Sequence, residues 1–457
     1  MNYHFIAIGG AVMHNLAIAL HHKGHKITGS DDEIFDPAKS RLEALGLLPK
    51  NYGWFPEKIK PSLDAVIVGM HARKDNPELA RANEIGIKIY SFPEFLYQHA
   101  LKKKRIVIGG SHGKTTITAM VMHVLRFCNM DFDYLVGAQV ADFEVMVRIS
   151  DEAPVMIFEG DEYLTAPFDP RPKFHLYHPH IALISGIAWD HINVFPDFDD
   201  YVIQFSMFAE MIEDGGSLIY NEEDELVRNI ALENTNNIVR IPYNTPEYYV
   251  KDGLTQLVFN GKEYSLKVFG RHNLQNLAGA WKVCRECGVS EKDFLEAIAS
   301  YEGAARRLEK VLTYEQTHIF RDFAHSPSKL KATVNAVREQ YPGYRLVACM
   351  ELHTFSSLSK NFLKEYKGCM DEADVAFVYF NPHTIALKKL PPITIHDVFT
   401  AFANDKLQVL TDSDTLVQEL KNYDWINSVL LLMSSGNFDG INIKELAHSL
   451  INGIKNE

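Results

Sequence analysis

Arg105-Ile106-Val107-Ile108-Gly109-Gly110-Ser111-His112-Gly113-Lys114-Thr115-Thr116, followed at once by the apolar run from Ile117 to Phe127, decides the fold. The β-branched stretch reads as a buried strand, the glycines as a tight turn, and the apolar run as a helix. A glycine turn at that junction exposes backbone N–H groups at a helix N-terminus, where the aligned peptide dipoles favour a polyphosphate. In this reading Gly110, Ser111, His112, Gly113, Lys114, Thr115 and Thr116 form an ATP-binding loop. Lys114 is placed to neutralise phosphate charge and Thr115 to ligate Mg2+. The spacing departs from the general P-loop pattern, which has glycine where this chain has Ile108. The alternative, a glycine turn with a surface lysine, does not explain why a strand and a helix flank it.

Outward from this point the chain alternates between strand and helix patterns. Upstream, Phe5-Ile6-Ala7-Ile8, the turn Gly9-Gly10, an apolar helix from Val12 to His22 and Lys26-Ile27-Thr28 make a βαβ unit. Strand signals recur at 64–68 and 87–90, so residues 1–101 predict a small Rossmann-like domain. The charged run Leu101-Lys102-Lys103-Lys104-Arg105 reads as a solvated connector. Residues 102–304 predict a central P-loop ATPase domain with a mostly parallel sheet. Residues 305–457, with strand signals at 318–320, 346–349, 375–378 and 429–432, predict a second Rossmann-like domain. The expected class is α/β in three domains, without internal repeats.

A chain of 457 residues has room for such a series. Its net charge of −13 argues against nucleic acid as a partner, since phosphate-backbone binding needs clustered Lys and Arg. No stretch approaches the ~18 apolar residues of a membrane span, and the N-terminus lacks a basic start, so a cytoplasmic protein is expected. Five cysteines form no disulfide framework. Cys284 and Cys287 have redox spacing, but they fall inside a helical pattern and read as packing residues.

A phosphate loop needs a second metal ligand, and Glu159-Gly160-Asp161-Glu162-Tyr163 follows the apolar run 155–158 directly. A carboxylate at the end of a strand beside the loop strand is where Mg2+ is held, and Glu159 is the first choice. Trp189-Asp190-His191 also follows a strand, and His191 could serve a second cation. At the N-terminus, Gly9, Gly10 and Ala11 do not meet the dinucleotide spacing, yet Asp31 stands where a ribose-binding acid would. A nucleotide moiety is expected there and NAD is not. A nicotinamide dehydrogenase and a P-loop nucleotide-dependent regulator are the rival classes.

Taken together, these motifs resemble one family. The loop, Glu159–Tyr163, Trp189-Asp190-His191, Gly270-Arg271-His272-Asn273, Gly303-Ala304-Ala305-Arg306-Arg307-Leu308-Glu309 and Asp322-Phe323-Ala324-His325-Ser326-Pro327 occur in the order found in Mur ligases. The resemblance implies an N-terminal UDP-sugar domain, a central ATPase and a C-terminal domain that receives an amine. It implies ATP and Mg2+, with Lys114 on the phosphates and Thr115, Glu159 and His191 on metal. Asn273 and Asp322 would face the nucleotide, Arg306 or Arg307 the transferring phosphate, and His325 the incoming amine as general base. Gly9, Gly10, Ala11, Asp31 and His71 would contact the UDP-sugar. The implied partners are UDP-N-acetylmuramate and either L-alanine or the tripeptide L-Ala-γ-D-Glu-meso-diaminopimelate, with the protein a monomer or weak homodimer. Ser357, Ala7 and Val12 depart from the family pattern.

Overall fold

The computed structural model describes residues 1–140 and 143–454. The chain divides into two compact units, residues 1–187 with 199–243 and 279–294, and residues 188–198 with 244–278 and 295–457.

The first unit contains two parallel α/β layers. The N-terminal sheet runs in the order Lys26–Ser30, Asn2–Ile6, Ala65–Val68, Ile89–Ser91, with every pairing parallel. Parallel neighbours need crossover helices, and Ala11–His22 supplies the first. The larger sheet has the order Val239–Tyr243, Ser217–Asn221, Ile181–Ile184, Lys104–Gly109, Val155–Glu159, Asp133–Leu135, Val147–Arg148. Only its last pair is antiparallel. Ile106, Val107, Ile108 and all of Ile181–Ile184 are buried, because helices cover both faces and leave no side for polar alternation. The quoted strand lies between Val155–Glu159 and Ile181–Ile184, so its C-terminal end opens where neighbouring strands lead away in both directions.

The connector of the sequence analysis is corrected here. Lys103 and Arg105 are buried, not solvated. Lys103 Nζ donates to Asp133 Oδ2 at 2.6 Å and to the Ser150 carbonyl at 2.7 Å. Arg105 pairs with Glu213 at 2.6 Å and donates through Nε to the His178 carbonyl at 2.8 Å. Lys103 ends the turn before strand Lys104–Gly109 and Arg105 lies within it, and each is held inside by its carboxylate and carbonyl partners. Although burial raises the Asp133 pKa, hydrogen bonds from His99, Lys103 and Ser150 outweigh it and hold the carboxyl below the usual range. Its contribution is therefore present above about pH 4 and lost as pH falls. Lys103→Met, which strands that carboxylate, should cost about 3–5 kcal/mol at pH 7. Urea unfolding should show the deficit shrinking below about pH 4, and a pH-independent deficit would refute this account.

The second unit holds a six-stranded sheet ordered Glu309–Tyr314, Thr317–Asp322, Ser428–Met433, Arg345–Glu351, Val375–Tyr379, Leu407–Leu410. All pairs are parallel except the first. Side-chain alternation splits its core in two. Phe320, Ala348, Met350, Val378 and Leu431 face one layer, and Ile319, Val347, Cys349, Phe377 and Leu430 the other. An antiparallel sheet of Tyr248–Lys251, Leu254–Phe259 and Lys262–Leu266, absent from the sequence reading, belongs to the same unit. It is tied to helix Pro327–Gln340 by Tyr248 donating to Glu339 at 2.9 Å.

Candidate functional site

The helix Lys114–Phe127 begins three residues before its apolar run, with Gly113 as its N-cap. Gly113 has φ +78° and Gly110 φ +131°, left-handed conformations that side chains rarely adopt, so the loop can turn only on these glycines. Ser111 N donates to the Gly186 carbonyl at 2.9 Å, and Ser185 N to the Gly109 carbonyl at 3.1 Å. The Ser185 hydroxyl also meets the His112 carbonyl, which anchors the loop to the end of the neighbouring strand.

Lys114 lies inside this loop. Its Nζ donates to the Gly110 carbonyl at 2.6 Å and to Glu162 Oε2 at 2.5 Å. Glu162 is fully buried, and the Tyr201 hydroxyl donates to its other oxygen at 3.0 Å. Burial disfavours the ammonium, but Glu162, Asp161 and Glu159 outweigh it, so the Lys114 pKa lies above the ordinary lysine value. Lys114 stays charged at every physiological pH. Glu159 completes the arrangement: Oε1 accepts from Thr115 Oγ1 at 2.8 Å and Oε2 from Gly137 N at 2.6 Å. A hydroxyl and a carboxylate oxygen thus converge, and both are the hard donors that suit Mg2+. The fit of Thr115 and Glu159 to that ion rests on this pair. Thr116 is buried in the first helical turn.

Asp31 closes the N-terminal turn. Its Oδ2 accepts from Gly9 N at 2.7 Å, and a Cβ on Gly9 would stand 3.0 Å from that same oxygen. Gly10 is the N-cap of helix Ala11–His22, and His71 is exposed after strand Ala65–Val68. Ala7, one of the departures from the family pattern, adopts φ +65° while fully buried. Burial pushes the Asp31 carboxyl up to about 6, partly offset by the Gly9 N–H. A raised carboxyl pKa means stability present below about pH 4 and lost as pH rises through 6. Asp31→Asn should therefore be as stable as the parent at pH 4 and more stable at pH 7.5, by on the order of 1 kcal/mol after solvent screening. Thermal melts at the two pH values check this; a variant less stable at pH 7.5 would contradict it.

The second unit carries the remaining residues. Asn273, near the start of helix Arg271–Glu286, is buried and donates from Nδ2 to the Phe269 carbonyl at 2.9 Å. The structure separates the two adjacent arginines. Arg306 adopts φ +58° and lines a cavity of about 220 Å³ with Asp322, Ser434, Asn437 and Lys444. Arg307 lines another, of about 100 Å³, with Asn273, Phe269 and Thr255. Its guanidinium also lies 4.8 Å from the Phe323 ring centre. Asp322 accepts from Leu308 N at 2.5 Å and Ala324 N at 2.8 Å, which fixes both strand connections.

His325 is buried, with Nδ1 2.7 Å from the Phe323 carbonyl. Only a protonated nitrogen satisfies a carbonyl, so Nδ1 carries the hydrogen and Nε2 the lone pair. Burial, then Lys329, lowers its pKa against the opposing pull of Asp190. His191 follows Asp190 at φ +55°, and its N–H donates to Asp190 Oδ1 at 2.9 Å. Sequence reasoning missed Glu162, Tyr201 and Lys329. Glu162 lay within the quoted acidic run, but nothing in the sequence marks Tyr201 or Lys329. Cys284 is buried, Cys287 half-buried, and both are free thiols, as expected of packing residues.

Three family models match the chain in series: Mur ligase family, catalytic domain, over residues 2–104; Mur ligase middle domain, over 108–284; and Mur ligase, glutamate ligase domain, over 306–436. The UDP-N-acetylmuramate–L-alanine ligase of Streptococcus sanguinis is 31% identical over 401 residues, 82% of each chain. The chain belongs to the Mur ligase family. As a Mur ligase it is an ATP-dependent enzyme that forms a C–N bond, which excludes the dehydrogenase and regulator readings. The Haemophilus influenzae UDP-N-acetylmuramate–L-alanyl-γ-D-glutamyl-meso-2,6-diaminoheptandioate ligase is 28% identical over 454 residues, 97% of this chain and 98% of that one. The murein peptide ligase structure from Psychrobacter arcticus superposes with a TM-score of 0.69 at 23% identity, covering 99% of both chains, and shares the fold. Among the described residues of this Mur ligase, no helix is long and apolar enough to cross a membrane.

Proposed function

We propose that this Mur ligase joins the tripeptide L-Ala-γ-D-Glu-meso-diaminopimelate to UDP-N-acetylmuramate in the cytoplasm, with Mg2+ as cofactor. The observation that carries the substrate choice is the end-to-end match to relatives named for that tripeptide: 97% of this chain in Haemophilus influenzae and 98% in Escherichia coli. The domains would be 1–101, 102–304 and 305–457, with Gly9, Gly10, Ala11, Asp31 and His71 on the UDP-sugar.

A carboxylic acid and an amine at neutral pH exchange a proton and form a salt, so the acid must first be activated. The lactyl carboxylate attacks the γ-phosphorus of ATP and ADP leaves, giving an acyl phosphate. Lys114 stabilises charge on the transferred phosphoryl group from within the loop. Thr115 and Glu159 would hold Mg2+, which supplies further charge neutralisation when bound. Family motif order assigns Arg306 or Arg307 to the same phosphoryl group, Asn273 and Asp322 to the nucleotide, and His191 to metal. The peptide's amino group then attacks the acyl carbon and phosphate leaves. His325, held neutral by burial with its lone pair on Nε2, suits proton removal from that amine.

A second reading is ligation of L-alanine, favoured by the 31% identity to the Streptococcus sanguinis enzyme. Phosphate release from Mg-ATP and UDP-N-acetylmuramate, with tripeptide or L-alanine as the amine, separates the two. Turnover with tripeptide alone is expected; turnover with L-alanine alone would transfer the assignment to the second reading.

A further inference from the structure

Where a chain leaves neighbouring parallel strands toward opposite faces of a sheet, a crevice opens at their carboxyl ends. The second unit has such a point. Strands Thr317–Asp322 and Arg345–Glu351 are joined by helix Pro327–Gln340, whose Leu330, Val334 and Val337 pack into one core layer. Strand Ser428–Met433 lies between them, and the helices Ser413–Lys421 and Ile443–Ile454 before and after it send Leu416, Leu420, Leu446 and Leu450 into the other layer. The cavity of about 220 Å³ lined by Arg306 and Lys444 stands at this crevice, between Asp322 at one strand end and Ser434 beyond the other. Its volume is that of several waters, enough for the charged end of a side chain.

The cavity wall is held in place. Phe438, Asp439 and Gly440 all adopt left-handed backbone, and Phe438 is buried. Glu351 anchors the bend: its Oε2 accepts from Phe438 N at 2.8 Å and from the Ser434 hydroxyl. A Cβ on Gly436 would stand 2.9 Å from that same oxygen, so the loop presses closely against it. Backbone of this kind persists only where the surroundings over-determine it, and it clusters at ligand sites.

The charges around the cavity are unevenly matched. Asp322 is occupied by Leu308 N and Ala324 N and by the Thr333 hydroxyl at 3.2 Å. Arg321 is neutralised by Glu309, at 2.8 and 2.9 Å. Among the described residues no carboxylate lies at ion-pair distance from the Arg306 guanidinium or the Lys444 ammonium, and Lys444 acts on Glu309 only from further off. The first turn of helix Ile443–Ile454 adds partial positive charge at Lys444, where Asn442 Oδ1 accepts from Lys444 N at 3.2 Å and Glu445 N at 3.3 Å. The unmatched charge is positive, which suits a carboxylate.

His325, which takes the amine's proton in the scheme above, lies toward the other face. Ala324 beside it and Tyr366, whose hydroxyl donates to its carbonyl at 2.5 Å, belong to the layer of helix Pro327–Gln340. Leu432 and Phe438 of the cavity belong to the opposite layer. Groups on opposite faces of a sheet stand on the order of 10 Å apart. L-Alanine, whose carboxylate lies within about 3 Å of its nitrogen, cannot reach both places. A γ-linked tripeptide can.

We propose that this cavity is a carboxylate subsite for the peptide, in which Lys444 and Arg306 receive the carboxylate farthest from the reacting amine, the one on the ε-carbon of diaminopimelate. This rests on the ligase reading above, with Arg307, beside Asn273, as the arginine of the phosphoryl group. The contact is made equally before and during the reaction, so it governs KM and not kcat.

The test uses the full chain and two peptides that differ only in that carboxylate: the diaminopimelate tripeptide and its counterpart ending in L-lysine, which carries hydrogen in its place. Steady-state phosphate release from Mg-ATP and UDP-N-acetylmuramate reads turnover. In the parent, KM should be about tenfold higher for the lysine peptide, the worth of one charge-assisted contact. Lys444→Met should raise KM for the diaminopimelate peptide about 5–10-fold, with kcat within about twofold, and leave KM for the lysine peptide unchanged, because both changes remove one contact. Lys444→Arg should recover most of the loss, and Lys444→Glu should deepen it.

Exchange of oxygen between the bridging and non-bridging positions of 18O-labelled ATP, with UDP-N-acetylmuramate and no peptide, reads phosphoryl transfer alone. In Lys444→Met it should stay within about twofold of the parent. Equal KM values for the two peptides in the parent, a Lys444→Met loss shared by both peptides, or a loss in the exchange reaction would overturn the subsite and leave the ligase reading standing. A parent that turns over L-alanine and neither peptide would instead overturn the substrate reading, and the subsite with it.

Discussion

Lys114→Met should abolish phosphate release and also destabilise the protein, two effects with one cause. The ammonium is both the cation proposed to face the phosphates and the partner of fully buried Glu162 at 2.5 Å. Removing a preorganised donor from a phosphoryl-transfer site costs about 10²–10³ in rate. Stranding a buried carboxylate costs about 3–5 kcal/mol. The double variant Lys114→Met with Glu162→Gln should recover most of the stability and none of the activity, since the glutamine can still accept from Tyr201 without a net charge. Urea midpoints and steady-state phosphate release on the single and double variants check both parts. A double variant as unstable as Lys114→Met would show that Glu162 is not the group left uncompensated.

Glu159→Gln should do the reverse, removing activity while the fold stays nearly intact. Its two oxygens accept from the Thr115 hydroxyl and the Gly137 N–H, and a glutamine oxygen can keep either bond. What the amide cannot supply is negative charge toward a divalent cation. Activity should fall about 100-fold at ordinary Mg2+, and half-maximal activity should need at least about tenfold more Mg2+. The thermal midpoint should shift by no more than a few degrees. A Mg2+ dependence equal to that of the parent would remove Glu159 from the metal site.

Against these expectations, the loop and its strand-end carboxylate were legible because both are local. Gly110, Gly113, Lys114 and Thr115 lie within six consecutive residues, and their chemistry follows from a turn that only glycine can make. The same holds for Asp31 and the Gly9 turn, where strand, glycine and acid recur at a spacing that a βαβ unit imposes. Apart from the antiparallel sheet at 248–266, element types were likewise readable, and observed boundaries moved mainly where polar residues extend a strand or helix. Helix Lys114–Phe127 starts with Lys114-Thr115-Thr116, three residues that carry no apolar signal.

The connector at 101–105 shows where such reading stops. Lysine and arginine in a row look solvated, but Asp133 and Glu213, which pair with Lys103 and Arg105, are too distant in sequence to announce themselves as partners. Nor did adjacency in sequence put Arg306 and Arg307 to one use: left-handed backbone at Arg306 and Leu308 sends the two side chains into different cavities. Local patterns, then, were enough for the α/β class and for the glycine loop with its neighbouring hydroxyl and carboxylate, because short-range backbone geometry dictates them. The cation partner of Glu162, the Tyr201 hydroxyl that holds it and the Asp190–Lys329–His325 contact came only from the folded chain, since a buried charge is matched by whatever packing brings beside it, at no spacing that a sequence records.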